Sequence, residues 1–249
     1  MLANQLRDDG IQLRWVAPTD LLLEVGGEVY RGAAFPGGGN DRSGANGYTG
    51  FVHLGGDAGV SGSWRVGLSH IDTDADARGT GEAPADSAFT GDSQLNIVDA
   101  VYKWAPNGNA SVTNLVLQAE YFWRKEVGMV VSDPSGAADI SGYDGKQKGF
   151  YVQGVYQFMP RWRVGLRYDQ LGADNTLGTL PGTGSGIDLL ADDSTTPKNV
   201  SAMVDFSNSE FSRFRLQYNH DQSRPGGETD HQVLVQYIFS LGSHPAHQF

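Results

Sequence analysis

The sequence predicts an all-β fold: an antiparallel transmembrane β-barrel with about eleven strands visible, forming one domain over residues 1–249. Three observations predict it. Apolar residues recur with a period of two nearly everywhere, as they do on half-buried strands. The connections alternate between short and long, the pattern of outer-membrane barrels with short periplasmic turns and long extracellular loops. Four of the five tryptophans fall at one end of the alternating runs.

Composition narrows the field. The chain carries 34 Gly and no Cys, so disulfides, thiolate zinc sites and Cys nucleophiles are excluded. Lys and Arg number 18 against 29 Asp and Glu, a net charge of −11. Nothing supplies the basic face that nucleic acid requires, and no nucleic-acid partner is expected. No apolar run reaches the ~18–20 residues of a membrane helix. A β-barrel passes this test, because its strands hide their apolarity in alternation.

The strands are expected at 10–16, 21–32, 48–57, 63–72, 94–104, 114–125, 149–158, 162–171, 198–206, 211–221 and 230–241. The alternation is plain in several of them. Leu115, Leu117, Ala119, Tyr121 and Trp123 alternate with Gln118, Glu120 and Arg124. Trp162, Val164, Leu166 and Tyr168 alternate with Arg163, Gly165, Arg167 and Asp169. Phe214, Leu216 and Tyr218 alternate with Arg213, Arg215, Gln217 and Asn219. Val233, Val235, Tyr237, Phe239 and Leu241 alternate with Gln232, Gln236 and Ser240. Short connections at 17–20, 58–62, 105–110, 159–161 and 207–210 include Pro, Gly, Asn and Asp, as tight turns require. Long ones are expected at 33–47, 73–93, 126–148 and 172–197, with a shorter one at 222–229.

Trp15 and Trp104 end runs just before a short turn, and Trp64 and Trp162 begin runs just after one. Trp123, with Tyr121, Tyr168 and Tyr218, marks the opposite end. Indole and phenol rings favour the headgroup layer, so these residues read as two aromatic girdles around an apolar band. The alternative is that tryptophan fills a core near turns.

Strand parity points to a missing piece. If short turns are periplasmic, the runs at 10–16 and 230–241 both point downward and cannot close an all-antiparallel barrel. At least one upward strand is therefore expected before residue 10, unless one strand is miscounted. The first ten residues have no basic, apolar or cleavage-site pattern of a signal peptide. The expectation is the carboxy-terminal part of a larger barrel with its start removed; a cytoplasmic protein is the other reading of that terminus.

Several segments resemble a known family. They are Asp9-Gly-Ile-Gln-Leu-Arg-Trp15, Tyr102-Lys-Trp-Ala-Pro-Asn-Gly-Asn109, Leu117-Gln-Ala-Glu-Tyr-Phe122, Tyr151-Val-Gln-Gly-Val-Tyr-Gln-Phe158, the stretch 207–218 and the ending 237–249. Together they are similar to porin-like, or zinc-regulated TonB-dependent-receptor-like, outer-membrane barrels of Gram-negative bacteria. The resemblance implies an outer-membrane location, with lipid and lipopolysaccharide, the outer-membrane assembly machinery and a possible homo-oligomer as partners. The terminal Phe249 fits the assembly signal of such barrels, although 242–248 separate it from the last run. No plug domain or TonB box is visible.

The inward positions carry the candidate site. Arg14, Arg65, Lys103, Arg163, Arg167, Arg213 and Arg215 are expected to line a pore, with Glu24 and Glu120, and further inward acids at Glu28, Asp99, Asp169 and Asp205. Rings of Arg and Lys lower the electrostatic cost for anions. Pairing with the acids across strands is the competing reading. Arg163, Arg167, Arg213 and Arg215 should form a positive cluster of which Asp205 neutralises at most one.

Other constellations carry less. Asp72-Thr-Asp-Ala-Asp76 begins like a calcium loop but has Ala77 and Ala83 where Gly and Glu belong. His244 and His247 flank Pro245 and lack a third ligand. His70 with Asp72, and His220 with Asp221, have no activated nucleophile beside them. No metal, cofactor or catalytic activity is expected. The expected function is passive diffusion of small polar or anionic solutes through a porin-like channel. The carboxy-terminal barrel of a TonB-dependent receptor is the alternative, and a soluble all-β adhesin or lectin a third.

Overall fold

A computed structural model describes residues 8–39, 43–79, 87–132, 139–179, 196–209, 211–224 and 228–240. The described residues form eleven strands: β1 Gly10–Val16, β2 Leu22–Tyr30, β3 Gly47–Ala58, β4 Gly62–Gly79, β5 Ala88–Trp104, β6 Asn114–Ser132, β7 Asp139–Met159, β8 Trp162–Thr179, β9 Lys198–Ser209, β10 Ser212–Gln222 and β11 Asp230–Phe239. They make one antiparallel sheet in strict sequence order. β1 and β11 are its edges and do not pair with each other. The sheet is open, so closure into a barrel is not seen.

All eleven expected strands are present. Five of them, β4 to β8, are longer by six residues or more than their alternation suggested. The stretches 73–93, 126–148 and 172–197 were expected as loops, yet β4 to β8 extend far into them. Pairing runs unbroken from Asn114↔Gln157 up to Ser132↔Asp139 between β6 and β7. The reason is compositional. Beyond the apolar band the strands continue in Gly, Ser, Thr and Asp, which read as loop residues although the backbone ladder persists. The acidic run 72–76 is likewise strand, with Asp72 opposite Gln94. The ending with His244, His247 and Phe249 lies outside the described residues.

The pleat sorts the residues. One face carries the apolar set and is bare: Ile11 is 82% exposed, Leu166 66%, Leu216 50% and Val235 79%. The other carries most of the charged and amide side chains. The apolar clusters of that polar face gather at the long-loop end. There Ala75, Phe89, Val130 and Tyr143 pack together, and Tyr30, Ile71 and Leu95 gather Ile97 and Phe122. At ~25 cal/mol per Å2, leaving the apolar face in water would forfeit most of what holds a domain together. The apolar face of the sheet is thus the more exposed of the two.

Candidate functional site: the polar face of the sheet

The nine expected lining residues all occupy the polar face. Arg14 lies opposite Gly26 and two positions from the β2 partner of Val16, Glu24. Its Nε sits 2.7 Å from Glu24 Oε1. Glu24 in turn faces His53 Nδ1 at 3.1 Å, and His53 Nε2 lies 4.0 Å from Asp99 on the next strand but one. Gly67 makes that reach feasible. It sits between them on β4, where an added Cβ would lie 2.0 Å from Asp99 Oδ2 and 2.6 Å from His53 Cδ2. Arg65 completes this row at 3.4 Å from Asp99. Lys103 lies nearer the short-turn end of β5, opposite Ser63 and Val116. Glu120 lies between Asp99 of β5 and Tyr151 of β7.

A second group lies on β8, β9 and β10. Asp205 is fully buried and receives Arg163 at 3.3 Å, Arg213 at 3.6 Å and Arg215 at 2.7 Å. Arg215 donates from both Nε and an NH2 nitrogen to the two carboxylate oxygens. The register places Arg163 and Arg215 directly opposite Asp205. Three guanidiniums thus share one carboxylate. Arg213 is the loosest of the three, and its Nε is buried with no hydrogen-bond partner among the described residues. Arg167 does not belong to this cluster. It binds Asp169 on its own strand at 2.6 Å, donates to Gln153 and lies over the Tyr151 ring at 3.9 Å. A recess of about 270 Å3 opens between Arg167 and Arg215, lined also by Gln153, Ser201, Met203 and Gln217.

The long-loop end holds a structure that sequence reasoning missed. The segment after β2 folds back over the polar face. Arg78 on β4 donates to the Pro36 carbonyl and lies over the rings of Phe35 and Phe89. Arg124 on β6 also lies over the Phe35 ring, at 5.0 Å. Both arginines converge on Glu126, at 2.9 and 3.6 Å, and Ser93 donates to the same carboxylate. Gly39 allows the close approach. Its φ is +130°, and a Cβ there would lie 2.5 Å from the Asp76 carbonyl oxygen. Asp8 ties down the start of the segment by accepting from the Ala33 and Ala34 amides. Burial works to raise the Asp8 pKa, but these amides, that of Asp9 and the Arg31 charge outweigh it and hold the carboxyl below its ordinary range. Glu126 and Arg78 fell within stretches read as loops. The usable signal was the alternation of Arg124, Glu126 and Gly128 past Trp123.

On the apolar face, Trp15, Trp64, Trp104 and Trp162 all lie at the short-turn end, and Trp123 lies toward the other. Trp162 packs on Phe206 with ring centroids 4.9 Å apart, and Tyr121 on Trp123 at 5.7 Å. Among the described residues, no group of three or more His, Cys, Asp or Glu could hold a metal.

No protein-family model matches the chain. It is similar to an uncharacterized protein of Aquifex aeolicus (strain VF5), 27% identical over 274 residues. That alignment covers 100% of this chain and 53% of the relative, so the chain spans about half the relative's length. No solved structure matches.

Proposed function

We propose that the sheet forms part of an outer-membrane β-barrel and lines a water-filled channel for passive diffusion of small polar or anionic solutes. One observation carries the reading: the faces are inverted, with a bare apolar face and a polar face laced with ion pairs. Lipid is the solvent that suits such a sheet, because it takes the apolar face while the strands between the two edges keep their backbone groups within the ladder. The aromatic residues at the two ends of the apolar face then sit at the two headgroup layers.

In this arrangement the polar face is the lumen wall. Most of its charges are paired and so solvate the wall without a net field. The exception is the Arg163, Arg213 and Arg215 group around Asp205, which leaves a local positive excess beside the recess at Arg167 and Arg215. Half-buried guanidiniums still attract anions, and here the field is screened only over the ~8–10 Å Debye length, comparable to the spacing of the strands involved. The segment 33–39, pinned by Arg78, Arg124 and Glu126, narrows the same lumen near its outer end. The experiment is single-channel recording of the protein in planar bilayers under a salt gradient. Stepwise conductance with a reversal potential on the anion side supports the proposal; absence of steps with inserted protein refutes it.

A further inference from the structure

Lysine and arginine are sorted by face. Eight arginines lie on the polar face, at positions 14, 65, 78, 124, 163, 167, 213 and 215. Four of the five lysines in the chain, Lys125, Lys146, Lys148 and Lys198, lie on the apolar face. The register fixes this. Lys125 is opposite Lys146, and Lys148 is opposite Trp123. Lys198 is opposite Gln170, which accepts a hydrogen bond from the Tyr168 hydroxyl. All four are exposed. They occupy three successive rows of the register on that face. Lys125 lies one apolar-face position beyond Trp123, Lys148 one beyond Phe150, and Lys198 one beyond Val200, the partner of Tyr168. The patch thus begins where the upper aromatic ring ends, on β6, β7 and β9.

These lysines have little to hold within the protein. Lys146 reaches Asp144 at 3.9 Å, and Asp174 lies opposite Lys146 in the register. Among the described residues, Lys125, Lys148 and Lys198 have no carboxylate within ion-pair distance. Lys125 and Lys146 face each other directly across β6 and β7, where like charges are unfavourable. An anion between them would reverse that sign.

We propose that Lys125, Lys146, Lys148 and Lys198 form a docking patch for the phosphates of lipopolysaccharide in the outer leaflet. The inference rests on reading the sheet as membrane-spanning with its long loops outside. Four ammonium groups spread over neighbouring strands fit a headgroup that carries more than one phosphate. The apolar band directly below takes the acyl chains, and Trp123 and Tyr168 sit at the junction. Compact, rotatable ammonium groups suit phosphates presented from a fluid layer, whereas the forked guanidiniums of the polar face suit fixed carboxylates.

The test is native mass spectrometry of the detergent-solubilised protein titrated with bisphosphoryl lipid A, phosphate-free lipid A or phosphatidylglycerol. The same proteins are assayed in parallel for extraction-resistant insertion into phosphatidylcholine vesicles. The wild-type protein is expected to insert and to bind bisphosphoryl lipid A at least about fivefold more tightly than the phosphate-free form, since each lysine near an anionic surface contributes about fivefold. The quadruple Lys→Gln variant should insert but lose that preference, and the quadruple Lys→Arg variant should keep most of it. Should the Gln variant fail to fold, K125Q and K148Q singly are expected to lose part of the preference. A wild-type protein that inserts without preferring phosphorylated lipid A overturns the patch alone. Equal binding of phosphatidylglycerol overturns the assignment to lipopolysaccharide. A wild-type protein that fails to insert overturns the membrane reading, and the patch with it.

Discussion

Asp205 shows at the residue scale how one side chain sets both stability and field. It is fully buried and satisfied by Arg215 through two hydrogen bonds. Replacing Arg215 by Gln removes a charge-assisted pair from a buried carboxylate and should cost about 2–3 kcal/mol in denaturant unfolding. Arg213 contributes less to holding Asp205, at 3.6 Å. Arg213→Gln should therefore leave stability nearly unchanged and shift the reversal potential toward cations. No shift, with conductance intact, would place Arg213 outside the permeation path. The arginines themselves were legible from alternation alone. Their sharing of one carboxylate was not, because register between strands is a property of pairing and only weakly written in either strand.

The segment 33–39 and the strand extensions belong to the element scale. A Gly39→Ala variant should detach the segment, since its φ of +130° and the Asp76 oxygen 2.5 Å from the new Cβ both oppose a side chain. Faster proteolysis within 33–39, with unchanged protection of β4 and β5, is the expected readout. The tether at Asp8 adds a pH dependence. Its folded pKa is lowered, so the stabilisation is complete above the ordinary value of about 3.9 and is lost as pH falls through the lowered value. Hydrogen exchange at Ala33 and Ala34 should rise only in acid, and Asp8→Asn should raise it at neutral pH. Strand positions were legible because the apolar band writes a period of two. Their outer ends were not, because above the band Thr73, Ser93 and Ser141 occupy buried polar-face positions that larger apolar residues would mark. Phe35 was hidden for the opposite reason: a single aromatic in a Gly-rich loop carries no period.

For the whole molecule, the decisive property is the open sheet, with an odd number of strands among the described residues. β1 and β11 run in the same direction, so closure by antiparallel pairing alone requires an odd number of further strands between them. Left unpaired in lipid, both edges expose backbone groups that nothing satisfies. The chain by itself in detergent is expected to associate through these edges; a monodisperse monomer in light scattering would contradict this. Which face meets lipid can be read directly, because the chain has no native Cys. Single cysteines at Leu166, Leu216 and Val235, and at Gln217 and Gln236, would carry a fluorophore in vesicles whose acyl chains are brominated at mid-depth. Strong quenching at the first three positions and little at the last two is the result a membrane-spanning sheet requires. Equal quenching on both faces, or none on either, would contradict it.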